Sequence, residues 1–325
     1  MRAIAEFILR GRVQALLVII GGAALTSLLP IFNHVSGGAL ALATLRHGLR
    51  EGVVLALAAT AAVVVLAFLA AFDATRIKIF LLVLALLIWL PVLVTAQVLR
   101  DSRSMGAALA AAAAVSALVV IGFHLAVGEV ETWWRGLMQQ MLVPLLEQAH
   151  TGLDAGDMAR LVDTLARVMT GILGATVLYT VMMNLFIGRW LQALVFNPGG
   201  FRAEFHALHL GRWMAGVALV LLALGNFTGG TLANVALDLL FLVGAVYSLQ
   251  GLALMHAVVA STSAHVAWLA GMYVLMLFAL PQVALVLSAA GFADSLMNFR
   301  ARLQKKGGPP QKQDEPPSSG PDDAT

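Results

Sequence analysis

Asp238, in "TLANVALDLLFLVG", is the only acidic or basic side chain well inside an uncharged stretch long enough to cross a bilayer. Asn234 precedes it by one helical turn on the same face. An ionised group held in hydrocarbon costs about 2.5–3.5 kcal/mol on insertion scales, so such carboxylates gather at cavities and proton relays. The structural alternative is a carboxylate that reaches the headgroups or bonds a neighbouring helix. A second candidate is "LPIFNHVSGGALALATLRHGLREG" (29–52). Its apolar run from Ser36 to His47 covers roughly 18 Å as a helix against a core of roughly 30 Å. Interrupted half-helices can aim freed backbone groups at a ligand. Asn33 and His34 then become binding candidates, while Gly37 and Gly38 permit close approach or an unusual backbone. The competing account is a tight hairpin whose glycines only let helices pack.

Histidines offer less. Arg202, His206 and His209 fall on one face of a helix at i, i+4 and i+7. Two histidines without a spaced third ligand are a weak metal signal, so a basic interfacial helix is expected and neither metal nor cofactor. His124 and His256, near the ends of apolar runs, read as satisfied polar residues. The chain has no cysteine, no H-E-x-x-H, no G-x-S-x-G and no Walker A loop. Asp238 also lacks a charged companion inside the membrane. No enzyme is expected, because catalysis needs converging groups.

These residues must be positioned by helices in lipid. Of 325 residues, 60% are hydrophobic and 11% charged, less than half the charge of a soluble domain. The runs are apolar all round, which excludes a barrel. The fold class is all-α, a polytopic helical membrane protein. Spans are expected at 13–32, 52–72, 79–99, 104–128, 168–188, 213–228, 233–258 and 266–290, eight of full length, plus the short 36–47. The first, with its basic head, reads as an uncleaved helix, since it exceeds a signal core. Residues 1–303 form one membrane domain, and the proline- and charge-rich tail 304–325 is expected to be disordered. Between them, 129–168 reads as an interfacial or outer hairpin. It carries Trp133 and Trp134 at headgroup level, a turn at "HTGLDAGD" capped by Asp154 and Asp157, and a helix running straight into the next span.

Charge orients the chain. If 36–47 crosses, loops on the N-terminal side hold ten arginines (2, 10, 12, 46, 50, 100, 103, 189, 202, 212) and the opposite loops five basic residues (76, 78, 135, 160, 167). This puts the N-terminus in the cytoplasm. Nine crossings, however, put Arg300, Arg302, Lys305, Lys306 and Lys312 outside, making ten against ten.

The span–proline turn–"GGALALATLRHGLREG"–span pattern, with "LANVALDLLFLVGAVYSLQGLALMHAVVA" and "GFADSLMNFRARL", resembles the YybS-like family of bacterial membrane proteins, a domain of unknown function. More distantly, the six segments between 13 and 192 resemble the substrate-capture (S) subunit of energy-coupling-factor transporters. That likeness implies a small-molecule pocket on the outer side, an ATPase coupling module as partner, and Ala23 with Ser27 as a helix contact. The expected function is therefore a transporter-like protein of the bacterial inner membrane. Its outer binding site is assigned to Asn33, His34, Trp133, Trp134, Asn226, Asn234 and Asp238. The rival expectation is a membrane scaffold or assembly factor that docks another membrane protein. The lipid bilayer is a partner either way, and nucleic acid is not. A lipid-handling role, with Trp133, Trp134 and the basic 202–212 segment as contacts, is a third reading.

Overall fold

A computed structural model describes residues 1–299 except 27, 70–74, 150, 151, 153, 263 and 264, and describes only the backbone within 66–69 and 75–87. The expected tail, Ser27, and the side chains of Arg76 and Lys78 lie outside the described residues. The described chain is helical, with no strand. In order, the helices are α1 (Arg2–Leu9), α2 (Arg12–Leu25), α3 (Asn33–His47), α4 (Leu49–Leu69), α5 (Thr75–Ser102), α6 (Met105–Val127) and α7 (Val130–Gln148). Then follow α8 (Ala155–Phe196), α9 (Gly200–His206), α10 (Trp213–Phe227), α11 (Gly230–Ser261), α12 (Ala267–Phe278) and α13 (Leu280–Met297).

Among the described residues, α6, α8, α11 and α13 are long and apolar enough to cross a membrane. Large apolar side chains face outward, Leu125, Leu277 and Phe278 being 83%, 82% and 86% exposed. In water such a surface would aggregate; against lipid it is ordinary. The expectation of eight full-length spans is corrected at three places. The first span stops at Leu25 after 14 residues, followed by a 3-10 turn at Pro30–Phe32. Segment 213–228 gives a helix of 15 residues. Segment 266–290 divides into α12, of 12 residues, and α13. Pro281 explains that division: it has no N–H for a preceding carbonyl, so it fits the first turn of α13 and not the interior of a longer helix.

The short segment also proves longer than expected. α3 has 15 residues, and everything from Ser36 to Leu45 is buried. It is surrounded by α2, α4, α5 and α8, and small residues allow this. A Cβ on Gly37 would overlap the Asn184 amide, and one on Gly188 of α8 would lie 2.6 Å from Ala41 Cβ. Gly48, at φ 94°, then makes the left-handed turn into α4.

Contacts define two ends of the bundle. At one, here the arginine end, Arg12 pairs with Glu51 at 2.7 and 2.8 Å. Arg100 Nη1 donates to Leu45 O at 2.8 Å, and Arg212 Nη2 to Leu296 O at 3.3 Å. The backbone of His209 lies against Gly106, just after the α5–α6 turn. The far end carries the α6–α7 turn and the start of α11. α11 and α13 run parallel, because Ser288 Oγ donates to Gly244 O and Gln250 Nε2 donates to Gly291 O and Ser295 Oγ, each at 3.0 Å. α12 therefore turns the chain inward and α13 returns it, so α11 and α13 both finish at the arginine end. The chain therefore reverses once more after α11 than the single expected segment 266–290 provides.

Candidate functional site

At the far end, α6, α8 and α11 enclose a polar cluster. His124 sits on the buried face of α6 with Ala112, Ser116 and Val120, four residues apart in succession. Its Nε2 is 2.8 Å from Asp238 Oδ2, and both side chains are almost wholly buried. Gly171 N of α8 donates to the other carboxylate oxygen at 2.9 Å. His124 Nδ1 and Ser116 Oγ are buried without a hydrogen-bond partner. Asp238 thus has a titratable companion from another helix, correcting the expectation of an isolated carboxylate. Removing either partner would leave the other with an unsatisfied buried polar atom, typically costing about 1–3 kcal/mol.

Next to this cluster, Trp134 Nε1 donates to Thr170 Oγ1 at 3.0 Å. Trp133, Trp134 and Phe123 pack with ring centroids 4.8–5.5 Å apart. Arg135 of α7 joins Asp163 of α8 at 2.7 Å and Glu131 at 3.0 Å. These bonds clamp α7 onto the first part of α8, which runs unbroken for 42 residues, as the helix entering the span was expected to do. Asp154 caps it through Asp157 N at 2.7 Å, leaving Asp157 in the first turn.

His34 lies elsewhere. Its Nδ1 is 2.8 Å from Asn184 Oδ1, and Asn184 follows Gly171 by thirteen residues on α8, roughly 20 Å by helix rise. The short α2–α3 hairpin stops well below the level where α8 meets Asp238. Asn33 opens α3 beside His34. Asn226 is exposed, bonding back to Leu222 O at 2.7 Å, and Asn234 is exposed on α11. The seven residues expected to wall one outer pocket therefore divide among separate places. The expected helical face through Arg202, His206 and His209 does not form either, because α9 ends at His206. His209 Nδ1 instead accepts from Gly211 N at 2.9 Å.

A cavity of about 1000 Å³ lies nearer the arginine end between α8, α9, α11, α12 and α13, and none of those seven residues lines it. Met182, Phe186, Leu249, Leu252, Met276 and Leu287 supply much of its apolar wall. Tyr179 and Ser248 form a hydrogen bond of 2.7 Å at one end of it. Toward the other, His256 takes Tyr273 OH at 3.2 Å on Nε2 and lies 2.9 Å from Leu252 O through Nδ1. Arg202 and His206 of α9 stand on its rim. The void exists because α12, with no buried residue, stands off from α8 and α11. No run of sequence marks such a gap; the only hint was the placing of a basic, aromatic segment, "FRAEFH", directly after a span.

Family models, curated proteins and solved structures all fail to match the chain.

Proposed function

We propose that this chain is a non-enzymatic, transporter-like protein of the bacterial cytoplasmic membrane that binds a hydrophobic or amphipathic small molecule in the cavity between α8, α9, α11, α12 and α13. The observation that carries this reading is the cavity itself. Its volume of about 1000 Å³ matches the upper range of ligand sites, and an apolar wall with few polar groups is their usual chemistry. In this reading α4, α5, α6, α8, α10 and α11 cross the bilayer. The hairpins α2–α3 and α12–α13 enter from the arginine end.

Charge supports a cytoplasmic arginine end. That end holds the ten arginines counted earlier, against five basic residues in the opposite loops. The packing of α2, α4, α5 and α8 around α3 is compatible with an S-subunit-like bundle. The YybS-like assignment and an ATPase coupling partner are proposed on the sequence resemblance alone.

Two measurements test this. The chain has no cysteine, so Arg10→Cys and Asn298→Cys should react with an impermeant reagent from one side, and Gly152→Cys from the other. Amphipathic ligands should raise the thermal midpoint of purified protein, and Ala284→Trp, which fills the cavity, should abolish the rise. An unaltered rise would reject the cavity as the site.

A scaffold role is the second reading, favoured by the clamped α7–α8 hairpin. At roughly 63 Å, α8 is about twice the hydrocarbon thickness, so its first turns project with α7. Deleting 130–165 should then remove a co-purifying partner while leaving ligand stabilisation intact.

A further inference from the structure

The cavity's shape and charge narrow its occupant. Ser248 and Ala260 of α11 both line it, twelve residues or roughly 18 Å apart by helix rise. That is close to half of a hydrocarbon core of about 30 Å, the depth of one leaflet and not of a water-filled channel. Its walls are largely apolar and rich in methionine, with Met182, Met183 and Met276. Flexible thioethers of this kind suit chains without fixed shape. Polar groups are concentrated at the rim, where α9 carries Arg202.

Arg202 is exposed and makes no ion pair among the described residues. The nearest carboxylate in sequence, Glu204, is taken by Arg189, whose Nε and Nη2 meet its two oxygens at 2.7 and 2.5 Å. A cation is thus left at the mouth of an apolar slot, at the end of the bundle richest in arginine. The cytoplasmic leaflet is also the one that carries anionic lipid.

Resting on the cavity-binding reading above, we infer that the occupant is an anionic phospholipid of the cytoplasmic leaflet. Its acyl chain lies between α8, α11 and α13, and its phosphate meets Arg202 at the start of α9. The guanidinium fork offers paired donors to phosphate oxygens, which a zwitterionic lipid could use only against its own internal cation.

Native mass spectrometry of the full-length protein tests this, using equimolar phosphatidylglycerol and phosphatidylcholine with identical chains. The expected result is one retained lipid, with phosphatidylglycerol favoured roughly tenfold, about the 1.4 kcal/mol of one charged contact. Arg202→Glu should remove the preference, Arg202→Lys should keep most of it, and Ala284→Trp should empty the site. Excess glycerol phosphate should not displace the lipid; displacement would indicate a free-phosphate site and overturn the inference. Equal retention of both lipids, unchanged in Arg202→Glu but lost in Ala284→Trp, would overturn the headgroup assignment and leave the cavity reading standing. Retention by a normally melting Ala284→Trp protein equal to that of the unaltered chain would remove both.

Discussion

Two short hairpins enter this bundle from the same end and meet opposite fates. α2–α3 and α12–α13 each begin with a helix too short for the hydrocarbon core, of 14 and 12 residues. α3 is buried on every side from Ser36 to Leu45, whereas α12 has no buried residue. The difference lies in side-chain size. "SGGALALATL" lets neighbouring backbones approach, and without a hydrophobic drive between helices in lipid, close packing is what holds them. "AWLAGMYVLMLF" presents Trp268, Tyr273 and Phe278, which hold α12 away from its neighbours or turn to lipid. One hairpin becomes a core and the other the wall of a cavity.

Enlarging a glycine in each hairpin should break this contrast most visibly. Gly37→Leu places a branched chain where Asn184 already stands, and should cost on the order of 3 kcal/mol, at the upper end for overpacking. The variant should melt much earlier, or fail to give monodisperse protein. Gly271→Leu in α12 meets nothing within 4 Å and should change the thermal midpoint by the equivalent of less than about 0.5 kcal/mol. Comparable losses in both would show that α12 packs as tightly as α3.

The same contrast shows what the sequence could and could not reveal. The all-helical class, the projecting α8 and its Asp154 cap were legible because periodicity and capping are local. Glycines in α3 were legible as a packing device or a binding device, and their neighbours decide for packing. Asp238 was visible as an anomaly, but its partner His124 lies 114 residues earlier, and only folding brings them together. Asn184, Thr170 and Gln250 are polar residues within apolar runs, so the signal was present but carried no information on partners. The α12–α13 reversal was signalled by Pro281, while the cavity, a consequence of what fails to pack, had no local signature.

A smaller effect would sharpen the comparison within the second hairpin itself. Although α12 is loose, α13 is locked to α11 by Gln250, which accepts from Leu210 N at 3.1 Å and donates to Gly291 O and Ser295 Oγ. Gln250→Leu leaves those groups without their amide partner in a site where Gln250 is fully buried. The expected loss is about 1–3 kcal/mol, read as an earlier melting midpoint. It should come with faster hydrogen exchange in 280–297 and little change in 33–47. Faster exchange in both hairpins would mean that they unfold as one unit.

The smallest expected effect distinguishes the hairpins by pH. Arg12 and Glu51 close the mouth of the first hairpin. The hydrogen bond from Arg12, followed in strength by its charge after the opposing effect of burial, holds the Glu51 carboxyl below the usual glutamate range. A carboxylate with a lowered folded value contributes stability above its unfolded value and loses it as pH falls through the folded one. Acidification below the ordinary glutamate range should therefore lower the melting midpoint slightly more in the unaltered chain than in Glu51→Gln. The gap must be small, since the Arg12 side chain is 65% exposed and solvent screens the pair. Raised salt at neutral pH should shrink the advantage of the unaltered chain in the same way. If Glu51→Gln loses as much stability on acidification as the unaltered chain, the Arg12–Glu51 bridge does not hold that hairpin closed, and the small-residue packing of α3 carries the task alone.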